Sequence, residues 1–465
     1  MPKALSWRGR ASYSSSMNAC LSVLSVALLV LIGLFPASAG AQSSAAERPD
    51  KVIDARMQLE IIDSVTQALN EIYVFPDVAK DMEKHLRQQY KKKAYKDITS
   101  LDEFTQKLTE DLHEISHDKH ITIRYCPDEY FDAELDQEPT EEELRRRLAE
   151  DKYNNFGFQK VERLPGNVGY LKFDRFPHPK DAGPTAIAAL NFLGYCDALI
   201  IDLRTNGGGE PSMVQLMSSY FFDEPKHTNS IYVRAEDITE QLWTQAYVSG
   251  PRMSKTDVFI LTSGWTFSAA EDFAYSLKHL GRATIVGETT GGGAHPVEYH
   301  NYRTLNIRAQ VPYGRTINPI TGTNWEGIGV EPDIDAPQEE ALDVAYLEAL
   351  KKPEQQTDDP DRKARLKWIM ESLQVKLNPV IVPESQLQAY IGQYGPRKFW
   401  VEDGVLYYQR EDRPKYALIP MGDHRFMLEG LDYFRIQFSA DESGEINEIL
   451  GQYSDGFTES HKRGK

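Results

Sequence analysis

Leu59, Ile62, Val65, Leu69 and Ile72 recur at three- and four-residue intervals and fall on one helical face, as do Val78, Met82, Leu86 and Tyr90 further along. Ser100 and Glu103 stand in capping-box spacing ahead of a third face made by Leu101, Phe104, Leu108 and Ile115. The pattern predicts a small helical bundle over 50–118. From Ile121 it changes to β-branched and aromatic runs. Those at Asn167 to Phe173, Ala198 to Leu203, Val258 to Thr262 and Ala283 to Gly287 have the length of buried strands, with helical segments between several of them. An α/β domain is therefore expected over 119–340, carrying a charge-rich solvated helix near Glu141 to Lys152. Polar helices at Glu339 to Leu350 and Asp361 to Leu373 form a linker, 341–378. The remainder, 379–465, alternates short strands with turns such as Glu402-Asp403-Gly404, which predicts a small antiparallel β-domain.

Ahead of the bundle, Lys3, Arg8 and Arg10 precede an apolar run from Leu21 to Leu34 and small residues at Ala37, Ala39 and Ala41. This is the layout of a secretory signal peptide over 1–41. The run is shorter than the ~20 residues that cross a bilayer, so the expected product is exported, periplasmic or extracellular, with no integral membrane anchor. The chain carries a formal charge of −18 and no basic stripe, which argues against a nucleic-acid partner. Of three cysteines, Cys20 falls in the signal. Cys126 and Cys196 then form one disulfide or remain two buried thiols.

The chemistry concentrates in the centre. Ser268 follows the strand Val258 to Thr262 and opens a helix marked by Phe273, Leu277 and Leu280. A helix N-terminus offers unpaired N–H groups and a partial positive charge, which suit an alkoxide and an oxyanion. Taken alone, this pattern also describes an ordinary N-cap. A second segment, Asp202-Leu203-Arg204-Thr205-Asn206-Gly207-Gly208-Gly209, follows another buried strand, and its glycines let backbone N–H groups approach a ligand.

With Gly287-Glu288-Thr289-Thr290-Gly291-Gly292-Gly293, Asn318-Pro319-Ile320-Thr321 and the stretch Asn324 to Ile334, these motifs resemble the family of tail-specific (C-terminal processing) and tricorn-core serine peptidases. The preceding bundle is similar to the branch that includes the interphotoreceptor retinoid-binding protein. The resemblance covers most of 55–340 and implies a crotonase-like catalytic core, needing no cofactor or metal, that acts on peptides or unfolded protein. It implies Ser268 as nucleophile, with oxyanion N–H groups from Ala269 and from Gly208 or a neighbour. The Ser/Lys branch places its lysine about twenty-five residues after the serine, where this chain has Gly293. The tricorn-like branch instead implies His120 as base and Glu326 as its carboxylate, although Lys119 stands where that branch has a serine. Only about forty-five residues separate His120 from Asn167, too few for the peptide-binding PDZ domain of the Ser/Lys enzymes. The Tyr390 to Tyr394 opening of the last domain is similar to a lipocalin-like domain at the C-terminus of some β-lactamase-type hydrolases.

Other readings compete. His113-Glu114-Ile115-Ser116-His117 fits the zinc-peptidase pattern, and the downstream positions lack the long metzincin form. His295 is an alternative base. Asp202 reads as structural, and Trp325 as a core aromatic or a pocket wall beside Glu326. The retinoid-binding protein also shows that such a fold can bind apolar ligands without proteolysis, so a non-catalytic binder is the alternative function.

Overall fold

The computed structural model describes residues 50–127 and 140–464. The expected signal peptide lies outside them. The described residues divide into two compact units.

The first unit holds the helices Ala55–Ile72, Pro76–Lys91 and Leu101–Ser116. Their ends follow local chemistry: the Asp54 carboxylate accepts the Met57 N–H at 2.8 Å, Pro76 opens the second helix, and Ser100 Oγ accepts the Glu103 N–H at 3.0 Å. Ile61, Ile62, Val65, Leu69, Met82, Leu86, Phe104, Leu108 and Leu112 are buried, whereas Ile115 is only half-buried. Residues 296–314, which lie in the middle of the expected α/β segment, belong to this unit instead. There Ile307–Pro312 pairs antiparallel with both Thr122–Tyr125 and Val297–Tyr302. The Tyr302 hydroxyl donates to the Ser64 carbonyl at 2.9 Å, and the Val74 N–H to that of Pro312 at 3.0 Å. The helix Glu141–Tyr153 buries no residue, as its charge pattern predicts.

The second unit is built on a six-stranded sheet in the order Ile334–Asp335, Ala283–Gly287, Asp257–Thr262, Ala198–Asp202, Val168–Phe173, Phe158–Leu164. Its first five strands are parallel, and the sixth runs antiparallel at the edge. Ala198–Asp202 is buried at every position, as a strand covered on both faces must be. One face packs on Ala341–Gln356 and Pro360–Leu377 through Ala341, Ala345, Ala349, Leu350, Leu366 and Leu373. The polar pattern of these helices predicts a linker, yet alanines at four-residue spacing give Ala341–Gln356 a seam flat enough to lie on the sheet.

The same unit ends in eight antiparallel strands joined in simple sequence order from Gly392–Tyr394 to Thr458–Lys462. A bridge between Tyr394 and Arg463, with the Gly464 N–H donated to the Gln393 carbonyl at 2.7 Å, joins first strand to last and makes a barrel. Tyr390, Tyr394, Phe399, Phe426 and Phe438 pack together inside. Arg435 ties the barrel to Pro360–Leu377: its guanidinium lies 3.7 Å from the centre of the Trp368 ring and donates to Glu371 at 2.6 Å. Among the described residues no helix is long and apolar enough to cross a membrane, and Cys126 and Cys196 are not joined in a disulfide.

The helix Ala269–His279 packs on the strand His227–Val233 around a buried carboxyl. Asp272 accepts the Asn229 amide at 2.9 Å and the Ser276 hydroxyl at 2.8 Å, and burial raises its pKa to about 6 from an ordinary 3.8. A carboxyl raised by folding stabilises the fold fully below its ordinary value, and that contribution is lost as pH rises through about 6. Asp272→Asn, which mimics the protonated group, is therefore expected to be more stable than wild type at pH ~8 by roughly 3 kcal/mol. The gap should close as pH falls below about 4. Urea titrations of both proteins across this range measure it, and a gap independent of pH would contradict the assignment.

Candidate active site

The strand Asp257–Thr262 leads into a turn held rigidly on the neighbouring loop. Ser263 Oγ donates to the Arg204 carbonyl at 2.6 Å, Thr266 Oγ1 to the Leu203 carbonyl at 2.8 Å, and the Phe267 N–H to the Asn206 carbonyl at 3.1 Å. Ser263 is thus committed to the turn's structure. Ser268 follows with φ 56° and ψ −121°, a left-handed backbone that a serine adopts only when its surroundings impose it, and caps the helix Ala269–His279. A serine on a strained strand-to-helix turn has its Oγ presented at the end of the sheet, the arrangement of a nucleophile elbow.

What imposes that conformation is Glu271. Fully buried, it accepts the Ser268 N–H at 2.8 Å, the Gly292 N–H at 2.7 Å, the Gly293 N–H at 2.8 Å and the Thr290 hydroxyl at 2.5 Å. Burial pushes its pKa up, while these donors act in the opposite direction. Glu271 drew no functional notice in the sequence, although serine followed three residues later by glutamate is the capping-box signature that could have found it.

On the opposite side of the serine stands the triple glycine. A Cβ on Gly208 (φ +98°) would lie 2.8 Å from Ser268 Cβ and 2.9 Å from the Ala269 nitrogen, so only glycine permits this approach. The Gly208 N–H is already taken by Asn206 Oδ1 at 2.9 Å, and that of Gly207 by the Asp174 carbonyl at 3.2 Å. Those of Gly209 and Ala269 meet no acceptor among the described residues. The free donor of the glycine run is therefore one residue beyond Gly208.

Glu326 lies beside the Gly291–Gly293 loop, where the next residue, Gly327, donates its N–H to the Gly292 carbonyl at 3.0 Å. Its Oε2 accepts the Ala294 N–H at 2.5 Å and stands 3.6 Å from His295 Nδ1. Trp325 is a core aromatic, 1 % exposed, donating its indole N–H to the Gly293 carbonyl at 2.8 Å. His120 belongs to the first unit. It is buried, its N–H is donated to Asp118 Oδ1 at 3.0 Å, and its Nδ1 lies 3.8 Å from the same oxygen. Tyr73 and its hydroxyl, 3.2 Å from Asp118 Oδ2, fix that carboxylate in turn. Asp118 went unnoticed in the sequence as a partner of His120. Lys119, between them, is exposed.

The zinc-like pattern does not survive folding. Its helix ends at Ser116, His117 turns left-handed at φ 54°, and His113 Nε2 is bonded to the Ile121 carbonyl at 2.7 Å. The two histidines therefore do not share one helical face. Asp202, fully buried between the Tyr170 hydroxyl at 2.7 Å and Arg204 at 2.6 Å, is structural.

Replacing Glu271 by Gln keeps its shape but turns one acceptor into a donor facing N–H groups. The expected cost is roughly 2–4 kcal/mol of unfolding free energy, read from urea denaturation. A cost under about 0.5 kcal/mol would mean that the four donors find other acceptors.

Comparison with known proteins follows the same segments. Residues 167–336 match Peptidase family S41, and residues 43–153 match the N-terminal domain of Peptidase_S41 in eukaryotic IRBP. A tail-specific protease of Haemophilus influenzae is 24% identical over 148 residues, 30% of this chain and 21% of that protein, so the match spans about a fifth of the curated relative. A crystal structure from Parabacteroides merdae aligns with a TM-score of 0.47 at 18% identity, covering 66% of this chain and 100% of the other. The photosystem II D1 C-terminal processing protease aligns at 0.39 and 17%, covering 61% and 94%. The two family matches together span more than half of the chain, which belongs to peptidase family S41.

Proposed function

We propose that this chain is an exported serine peptidase with a crotonase-like core, hydrolysing peptide bonds in short peptides or flexible protein tails. The observation that carries the reading is the left-handed Ser268 at a helix N-terminus, packed against Gly208 with the Ala269 N–H open beside it. Ser268 Oγ attacks the scissile carbonyl. The oxyanion that forms is held by the N–H groups of Ala269 and of Gly209, the residue after Gly208, which are preorganised and need no rearrangement as charge develops. His120 takes the serine proton and returns it to the leaving amine, and the acyl-enzyme is then hydrolysed by water. Glu326 stabilises the imidazolium. Family membership favours this chemistry over a non-catalytic binder of apolar ligands.

A second assignment of the base has an observation of its own, since Glu326 stands 3.6 Å from His295. Kinetics on a fluorogenic peptide separate the two. Ser268→Ala is expected to lose several orders of magnitude in kcat/KM, and His120→Ala about as much, with the double variant little worse because one catalytic unit is not additive. Glu326→Gln should lose less, and His295→Ala only a modest factor. Wild-type kcat/KM should rise with pH through one ionisation, because only neutral imidazole accepts a proton. A large loss in His295→Ala with a mild one in His120→Ala would make His295 the base. A wild type that turns over no peptide would leave the binder.

A further inference from the structure

We propose that one end of the C-terminal barrel is a binding site for a small oxyanion, a carboxylate or a phosphate, built on Arg397 and Arg410. At the start of the strand Arg397–Glu402 buried and exposed positions alternate, so Arg397 and Phe399 face inward and Lys398 outward. Arg397 is completely buried, and strand register sets it directly opposite Tyr394 on one side and Arg410 on the other. Like charges directly opposite each other repel. Among the described residues a single carboxylate answers both: Glu459 pairs with Arg397 and lies 3.9 Å from Arg410. Burial acts to raise the Glu459 carboxyl, but the Tyr453 hydroxyl, 2.5 Å away, and Arg397 hold it below the ordinary range. It is therefore ionised, and the cluster keeps one positive charge in excess.

The donors left over say what is missing. Nε and Nη1 of Arg397 and Nε of Arg410 are buried and meet no acceptor among the described residues, and neither does the hydroxyl of the fully buried Tyr394. Buried polar groups are almost always paired, and a guanidinium cannot shed its proton to escape the cost. Arg435, the barrel's other deeply buried arginine, likewise leaves its Nε without an acceptor among the described residues, but Glu371, the Trp368 carbonyl and Ser372 occupy both its terminal nitrogens, whereas Nη1 of Arg397 is unmet. The unmet guanidinium groups are donors only, so the fitting ligand brings acceptors and negative charge; a cation or an apolar molecule brings neither. A planar guanidinium matches the paired oxygens of a carboxylate or phosphate. Arg410 and Glu459 are 31% and 21% exposed, so the cluster opens to solvent there with Arg397 at its base.

Isothermal titration calorimetry on the full chain, in a chloride buffer free of oxyanions, tests this with inorganic phosphate, N-acetylalanine and N-acetylalanine amide. Saturable binding is expected for phosphate, for N-acetylalanine or for both, but not for the amide. Phosphate alone would identify phosphate as the source; N-acetylalanine alone would identify a carboxylate such as a peptide terminus. Arg410→Gln should weaken binding roughly tenfold or more, and Arg397→Met should abolish it. Partly exposed Arg410 keeps the test decisive if Arg397→Met does not fold. No binding of either anion up to about 10 mM, or undiminished affinity in Arg410→Gln, would overturn the proposal.

Discussion

A carboxylate with no solvent exposure, Glu271, ties its own helix cap to a loop about twenty residues further along the chain. Glu271 receives the Ser268 N–H from its own helix cap, the Thr290 hydroxyl, and the N–H groups of Gly292 and Gly293. Burying a charge is costly unless it is fully hydrogen-bonded, and here each oxygen accepts two donors. The bonds continue outward: the Gly293 carbonyl takes the Trp325 indole N–H, and Glu326, the next residue, accepts the N–H of Ala294. The serine, the glycine loop and the second carboxylate of the proposed mechanism are therefore positioned by one connected network.

The sheet supplies the other half of the constraint. Parallel strands deliver their loops to one end, so the segments after Asp202, Thr262 and Gly287 converge there. Two of these loops press against each other so closely that Gly208 has room for no side chain beside Ser268. The left-handed serine is strained, and the strain persists because Asn206, Thr266 and Glu271 fix the turn from three directions. Asn206 also determines which amide remains open, by occupying the N–H of Gly208 and leaving that of Gly209.

Much of this was legible in the residues. Short apolar runs of β-branched side chains located the central strands within one or two residues, and Ser268 stood out because a strand, a turn and a helical face follow one another there. Less visible was anything that depends on partners distant in sequence. Residues 296–314 read as part of the core, yet pair with Thr122–Tyr125 beside the helices. The helices after Glu340 looked solvated because alanines contribute little to an apolar count, although they form the seam against the sheet. Nothing in the sequence singles out this role of Glu271, since it comes from donors about twenty positions further on. Asp118 was hidden for a local reason: its contact with His120 needs the left-handed turn at His117, which no periodicity announces.

The central claim is that the strained turn makes Ser268 the reactive group. Labelling the full-length protein with a fluorophosphonate and locating the adduct by tryptic mass spectrometry tests it directly, because the reagent reports nucleophilicity without requiring a known substrate. The account predicts a single adduct on Ser268 and none on Ser263, whose hydroxyl is bound to the Arg204 carbonyl. An adduct on Ser263, or labelling that persists undiminished in Ser268→Ala, would contradict it.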